Sequence, residues 1–440
     1  MRDDQTKALL KAAAQAVEVA KQAGAKDAWA AASRNHSVSF ELRNGKLEKV
    51  EDSTSRALSL RLYVDGRYSS QSTTDLRPDR VKAFVTEGVA ITRAMQPDPH
   101  RKLANPALFP TKLAALDLVD DRIGKLDRDT RIQWATKMNQ RVAGQPKVIS
   151  ASSGVSDGSS IYAAASSNGF SGAYESTSIG MSTSITLDDG ERRPEDWMGA
   201  WGTHLEGLPD GAGIADEALR LAKARLGMKK GPTRRTTMIV DNRAAAGILG
   251  RLLGPANAGA VQQERSFWRG KLGKLMVSPK LTIVDDPLIP RGLGSRPFDG
   301  EGIAAQKLPL IEAGVFQNLY VDTYYGSKLG MKPTTGGGSN RVVTLGTRNR
   351  DALIASAGSA IYVTSWLGGN MDALTGDFSL GARGHLVEGG KLGAPVGEMN
   401  VTGNIVDLFK SLVEVGSDPW KYSSTIAPTL VFENVQFSGA

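Results

Sequence analysis

The sequence predicts an α+β protein, with helices laid against an antiparallel sheet in the first half and strands and turns through much of the second. Three observations lead there. Helical three- and four-residue periodicity recurs in separated stretches, at residues 5–23, 75–95, 129–143 and 212–226. Two-residue alternation lies between the first two of them and turns at Asn44-Gly45 and Asp65-Gly66. Glycine is abundant, 49 in 440 residues against the usual ~7%, as many turns and hairpins require. A chain of 440 residues exceeds one ordinary core. The expected division is an N-terminal α+β domain at 1–230, with units at 1–99 and 128–228, and a β-rich domain at 231–440.

The first element is an alanine-rich helix whose Leu9, Ala13, Ala16 or Val17, and Ala20 form one stripe that Gly24 ends. Val38, Phe40 and Leu42 alternate with polar residues up to the first turn, and the chain returns through Leu47 and Val50. A second hairpin sets Leu58, Leu60, Leu62 and Val64 on one face before Asp65-Gly66. Residues 75–95 read as a cap at Asp75 and a helix with Val81, Phe84, Val85 and Val89 inward. Four prolines mark 97–127 as a linker, and the helix at 129–143 turns Ile132, Ala135, Met138 and Val142 inward. The Ser-, Thr- and Gly-rich residues 147–188 read as an antiparallel sheet of several strands, because Tyr162, Phe170 and Tyr174 give it a face to bury. After the helix at 212–226, Lys229-Lys230-Gly231-Pro232 and Arg234-Arg235 form a basic joint, read as a solvated linker.

The second half opens on residues 236–254, TTMIVDNRAAAGILGRLLG. Met238, Ile239 and Val240 read as a buried strand, Asp241-Asn242 offers a capping oxygen, and Ala244, Ile248, Leu249, Leu252 and Leu253 recur at helical spacing until Gly254-Pro255. The start of a helix gathers unpaired N–H groups and the positive end of its dipole. Here that first turn carries no acid, base or nucleophile after Asn242. Further on come a strand at 281–284, a helix at 320–329, a strand through Ile361, Val363 and Ser365, a turn at Thr375-Gly376-Asp377 and a hairpin at Glu388-Gly389-Gly390.

Composition excludes several chemistries. With no cysteine the chain has no disulfide, no thiolate zinc site and no cysteine nucleophile. His36, His100, His204 and His385 show no pair at helical zinc-site spacing. Neither a Gly-x-Ser-x-Gly elbow nor a dinucleotide fingerprint occurs, and the glycine cluster at 334–339 lacks the Gly-Lys-Ser/Thr of a phosphate loop. A net charge of +8 is modest for this length; without a basic stripe interleaved with aromatics it argues against a dedicated nucleic-acid binder. Residues 1–24 lack the apolar core of a signal peptide and no run of 18 apolar residues exists, so the cytoplasm is expected and a membrane partner is not.

Two clusters invite a site. Asp299 and Glu301 stand two apart in a glycine-rich loop, and extended backbone would aim both at one metal or one acid–base pair. The favoured reading is a turn in which Asp299 accepts neighbouring backbone N–H groups. His385 and Glu388 are three apart, which on a strand puts them on opposite faces, so they do not chelate together.

These loops also carry a resemblance. Arg296-x-Pro-Phe-Asp-x-Glu-Gly302, Thr375-Gly-Asp-Phe-Ser-x-Gly-Ala-x-Gly384, Glu388-x-Gly, Pro395-Val396, Gly403-Asn404 and Val415-Gly-x-Asp418, in this order, resemble the TldD/PmbA family, and the N-terminal half agrees in order. The resemblance implies a C-terminal domain of curved mixed and antiparallel β-sheets with helices, and a dimer. It implies a cytoplasmic pairing of a TldD subunit with a PmbA (TldE) subunit that processes unfolded or small peptides and was first linked to DNA gyrase control. The TldD subunit holds zinc through His-Glu-x-x-x-His and a late cysteine. Aligned on the helix glycine, the motif's first histidine falls on Arg243, its glutamate on Ala244 and its second histidine on Ile248; the cysteine falls near Ser423 and Ser424. A guanidinium, a methyl and a sec-butyl group neither bind zinc nor deprotonate its water. The resemblance therefore implies a PmbA/TldE-type subunit with no catalytic residue and no metal of its own, with zinc in a TldD-like partner. The candidate substrate-facing residues are Asp299, Glu301, Asp377, Arg383 and His385, and extended peptides are expected to pair with an exposed strand edge. Two other classes stay open: a hydrolase acting through Asp299 and Glu301, and a regulatory, gyrase-modulator-like binding protein without hydrolysis.

Overall fold

The two turns shape the first sheet. Asn44-Gly45 and Asp65-Gly66 hold φ of 49° and 79°, and of 48° and 76°, the left-handed values that two-residue hairpin loops need. Residues 2–439 are described by the structure, a computed structural model. Helix α1 (Arg2–Gln22) leads into β1 (Asp27–Arg43), β2 (Lys46–Val64) and β3 (Arg67–Thr73), followed by α2 (Pro78–Arg93). After a crossing segment come α3 (Arg128–Val142), β4 (Val148–Ser166), β5 (Ser171–Leu187), β6 (Glu195–Gly202) and α4 (Gly211–Lys223). The six strands make one antiparallel sheet in the order β3-β2-β1-β4-β5-β6.

Alternation along β1 decides where the helices lie. Ala28, Ala30 and Ala32 pack under α1 and α2, while Leu42 packs under α3 and α4; even spacing puts all four on one face. Trp29 and Ala31, on the other face, meet Phe170 and Phe298. The helices therefore cover one side of the sheet, and the second half of the chain reaches the opposite side through Phe298.

Several sequence expectations are corrected here. The two hairpins share β2, which runs unbroken because Lys46 to Arg56 are exposed throughout and carry no alternation to reveal their pairing with β1. The Ser-rich stretch is two long strands, β4 and β5, rather than several short ones. Helix α2 begins at Pro78, whose fixed φ suits a first turn; Asp75 accepts the Arg77 N–H at 3.2 Å instead of capping the helix. Residues 97–127 are packed rather than free: Ala104, Leu116, Leu118 and Ile123 are buried, and the carbonyls of Leu108 and Leu118 accept from Ala304 and Thr177.

In the second half, β7 (Lys229–Lys230), β8 (Arg234–Val240), α5 (Asn242–Leu253), α6 (Ala258–Gln262), β9 (Ile283–Asp285), β10 (Leu308–Glu312) and β11 (Val315–Phe316) come first. Next are α7 (Thr323–Leu329), β12 (Arg341–Val343), α8 (Arg350–Ala355), β13 (Ser359–Met371), β14 (Asp377–Glu388) and β15 (Lys391–Asn404). The last are α9 (Ile405–Lys410), β16 (Leu412–Val415), β17 (Thr425–Ile426) and β18 (Leu430–Gly439). The basic joint is thus partly strand: Lys229 and Lys230 pair with Val396 and Gly397, and Arg234 already belongs to β8. The helix expected at 320–329 starts only at Thr323, where Asp322 caps it by accepting the Tyr325 N–H at 2.6 Å.

A seven-stranded mixed sheet in the order β16-β18-β8-β13-β14-β15-β7 curls until β15 also pairs with the end of β18. A five-stranded sheet, β11-β10-β9-β12-β17, stands beside it. Central in the larger sheet, β8 lies parallel to β13 and antiparallel to β18, with Met238, Ile239 and Val240 fully buried. That placement fixes the start of α5. Among the described residues no helix is long and apolar enough to cross a membrane.

Candidate functional site

At the end of β8 the Asp241 carboxylate caps α5 by accepting the Arg243 N–H at 2.9 Å, as the sequence predicts. Its other oxygen accepts the Tyr362 hydroxyl of β13. Burial pushes that phenol well above its ordinary range, so it stays a neutral donor. The first turn then divides by side. Ala244 and Ile248 point into the core, at 6% and 0% exposure. Arg243 points outward: its Nη2 donates to the Trp197 carbonyl at 2.8 Å and lies 3.7 Å from Asp196. Its guanidinium carbon stands 5.7 Å from the Trp197 ring and 5.9 Å from that of Trp420.

Arg243 thereby forms one wall of a cleft of about 420 Å³ between the first sheet's helix α4 and the second half of the chain. Asp196 of β6, Arg220 of α4, Arg225 in the turn just after it, Arg350 of α8 and His385 of β14 complete its charged lining with Glu217 and Asp241. Asp196 and Arg225 form an ion pair at 2.5 Å with each side chain 6% exposed. Burial lowers the pKa of Arg225 despite that partner. The same cause lowers His385, a backbone hydrogen bond to Gly393 opposes it, and the charges of Arg225 and Arg220 add to it. The imidazole is therefore held neutral.

The five candidate substrate-facing residues are not brought together. His385 lines this cleft, and Arg383, on the same strand, donates from Nε to Ser365 Oγ at 2.7 Å. Asp377 is exposed at its turn, where Asn404 Nδ2 donates to it at 3.0 Å. Asp299 and Glu301 line a separate cleft of about 490 Å³ with Arg61, Arg101 and Tyr324. There Asp299 accepts the N–H groups of Glu301, Ile303 and Gly336 at 2.8, 3.0 and 3.3 Å, the turn favoured by the sequence. Glu301 Oε2 accepts both the N–H and the hydroxyl of Thr323, each at 2.8 Å, and so steadies the start of α7. Burial raises the Glu301 pKa. The other histidines are apart as well: His36 meets Asp52 at 2.9 Å, His100 meets Ser327 at 3.1 Å and His204 meets Asp117 at 3.5 Å. What the sequence missed is the arginine wall, whose members come from positions 220 to 350 and share no local pattern.

Zinc does not fit this frame. The helix presents Arg243, Ala244 and Ile248, and Ser423 Oγ accepts the Thr425 N–H. No three His, Cys, Asp or Glu among the described residues are placed to share a metal ion. An exposed edge does exist for strand pairing: β3 covers β2 from Leu58 to Val64, and among the described residues no strand lies against the outer edge of β2 from Lys46 to Ala57.

Fold and site together define the class, an α+β protein with an arginine-lined cleft at a helix start that offers no metal donor. Comparison with known sequences gives the family domain by domain. Residues 30–92 match the PmbA/TldA metallopeptidase domain 1, residues 121–226 its central domain and residues 233–439 its C-terminal domain. The chain belongs to the PmbA/TldD metallopeptidase family. It is 28% identical over 440 residues to "Metalloprotease PmbA" of Escherichia coli O157:H7, covering 99% of this chain and 97% of that one. A crystal structure titled as a putative modulator of DNA gyrase from Bacteroides thetaiotaomicron is 37% identical, covers 98% of both chains and superposes with a TM-score of 0.95. The fold is also that of TldE from Thermococcus kodakarensis, at 19% identity, coverage of 97% and 100%, and a TM-score of 0.86.

Proposed function

We propose that this chain is the non-catalytic, PmbA/TldE-like subunit of a zinc metallopeptidase complex that degrades or matures unfolded and small peptides. In this reading a TldD-like partner holds the zinc, and the chain supplies an interface and one wall of the substrate cavity. The observation that carries it is the first turn of α5: Ala244 and Ile248 are core residues and Arg243 is tied to Trp197 and Asp196, so no position in that turn offers a metal donor or a base. Against a rival hydrolase at Asp299 and Glu301 stands the commitment of both carboxylates to backbone N–H groups. Co-expression with a TldD-like chain tests the proposal. Peptide cleavage is expected from the complex and not from this chain alone; cleavage by the purified chain that survives chelation would overturn it.

A further inference from the structure

The charges around Arg243 are unevenly matched. Four guanidiniums face three carboxylates in the cleft, and each carboxylate already has work. Asp241 caps α5 and takes the Tyr362 hydroxyl. Asp196 takes Arg225 and the Trp197 N–H, at 2.7 and 2.8 Å. Glu217 takes two donors of Arg220, at 2.7 Å each, and Arg350 turns its Nε to Asp351, outside the cleft lining. Each guanidinium has five N–H donors, so these partners leave donors over. Behind the wall, burial and then the charge of Arg225 lower the pKa of Arg383. Crowded, partly desolvated cations such as Arg225 and Arg383 are relieved by an anion, and the planar guanidinium fork matches a carboxylate best.

A second groove lies on the other face of the first sheet, across the edge strand β6 from the cleft. Trp197, whose carbonyl holds Arg243, lines it with Trp201; its volume is about 460 Å³ and its floor is the Ser- and Gly-rich face of the sheet. Both indoles are well exposed, at 45% and 37%. A Cβ on Gly180 or Gly199 would come within 2.3 or 2.5 Å of the Trp201 ring, so those glycines let the indole lie flat along the strands. Within the cleft itself Trp420 and Pro395 stand beside the guanidiniums, a lining that suits a peptide which finishes in, or carries, a carboxylate.

We infer that the arginine-lined cleft binds a peptide carboxylate, terminal or side-chain. This deepens the reading above by naming what the cavity wall holds. The test uses the chain alone, so its failure leaves the partner's zinc chemistry untouched, and failure of the complex to cleave leaves this site untouched. Acetyl-Ala-Ala-Phe as free acid, the same peptide as its amide, and acetyl-Ala-Glu-Ala-amide are titrated by calorimetry and tryptophan fluorescence, with inorganic phosphate as competitor. The free acid is expected to bind about tenfold or more tightly than its amide, and Arg243→Gln and Arg220→Gln each to weaken the acid about tenfold without affecting the amide. Arg220 is a safe probe of folding, because its side chain is 57% exposed. Tight binding of the glutamate amide would assign the site to side-chain carboxylates. Equal affinity for acid and amide, an Arg220→Gln chain that binds the acid unchanged, or phosphate that binds without displacing the acid would each overturn the inference.

Discussion

Two clefts in this molecule hold comparable numbers of charged groups, and they use them in opposite ways. Around Asp299 and Glu301 the carboxylates are committed to backbone: one holds its own loop, the other the start of α7. Around Arg243 the carboxylates neutralise and cap, while guanidinium donors remain available to the cavity. A pair of acids in a glycine-rich loop is thus architecture here, and the cations beside a chemically blank helix turn are the better candidates for contact with a ligand. The difference teaches that hydrogen-bond partners, more than residue type, separate a scaffold charge from a working one.

The largest expected effect breaks the acidic anchor of the arginine cleft. Asp196→Ala leaves Arg225 buried without its partner and should cost about 3–5 kcal/mol in urea unfolding. Asp299→Ala orphans backbone donors around a side chain only 5% exposed and should cost about 2–3 kcal/mol; a loss below about 0.5 kcal/mol would mean that the loop holds itself. Arg101, 4.3 Å from the Tyr68 ring and 3.4 Å from that of Tyr324, clasps the two halves of the chain at the second cleft. Arg101→Ala should lose about 1 kcal/mol, read by the same denaturation. Arg220→Gln, at an exposed pair with Glu217, should change stability by less than about 0.5 kcal/mol while it weakens anion binding, which separates scaffold from contact within one cleft.

The smallest effect is one of pH. Burial raises the Glu301 pKa in the folded chain, so its unfolded form ionises first as pH rises. The group's contribution is fully present below the unfolded carboxylate value and is lost as pH climbs through the folded one. Parent stability relative to Glu301→Gln should therefore be greater at pH 4 than at pH 7. A difference that grows toward pH 7 would show that the Thr323 hydrogen bonds outweigh burial.

Much of the fold was legible. Asn44-Gly45 and Asp65-Gly66 mark their turns because few residues tolerate positive φ, and the α5 stripe marks its core face because Ile248, Leu249 and Leu252 repeat at helical spacing. The long arm of β2 was not, because exposure on both faces leaves no alternation. The start of α2 was misplaced because Asp75 and Pro78 offer competing signals and the proline wins. The Asp299 turn could be read from its loop, whereas the arginine cleft could not: Asp196, Arg220, Arg243, Arg350 and His385 meet only after β6, α4, α5, α8 and β14 have docked.

The most direct test of the account is the zinc content of the purified chain, measured by elemental analysis after dialysis against micromolar zinc. No zinc above the buffer blank is expected, with stoichiometric zinc only when a TldD-like partner is present. One zinc bound per chain in the absence of any partner would contradict it.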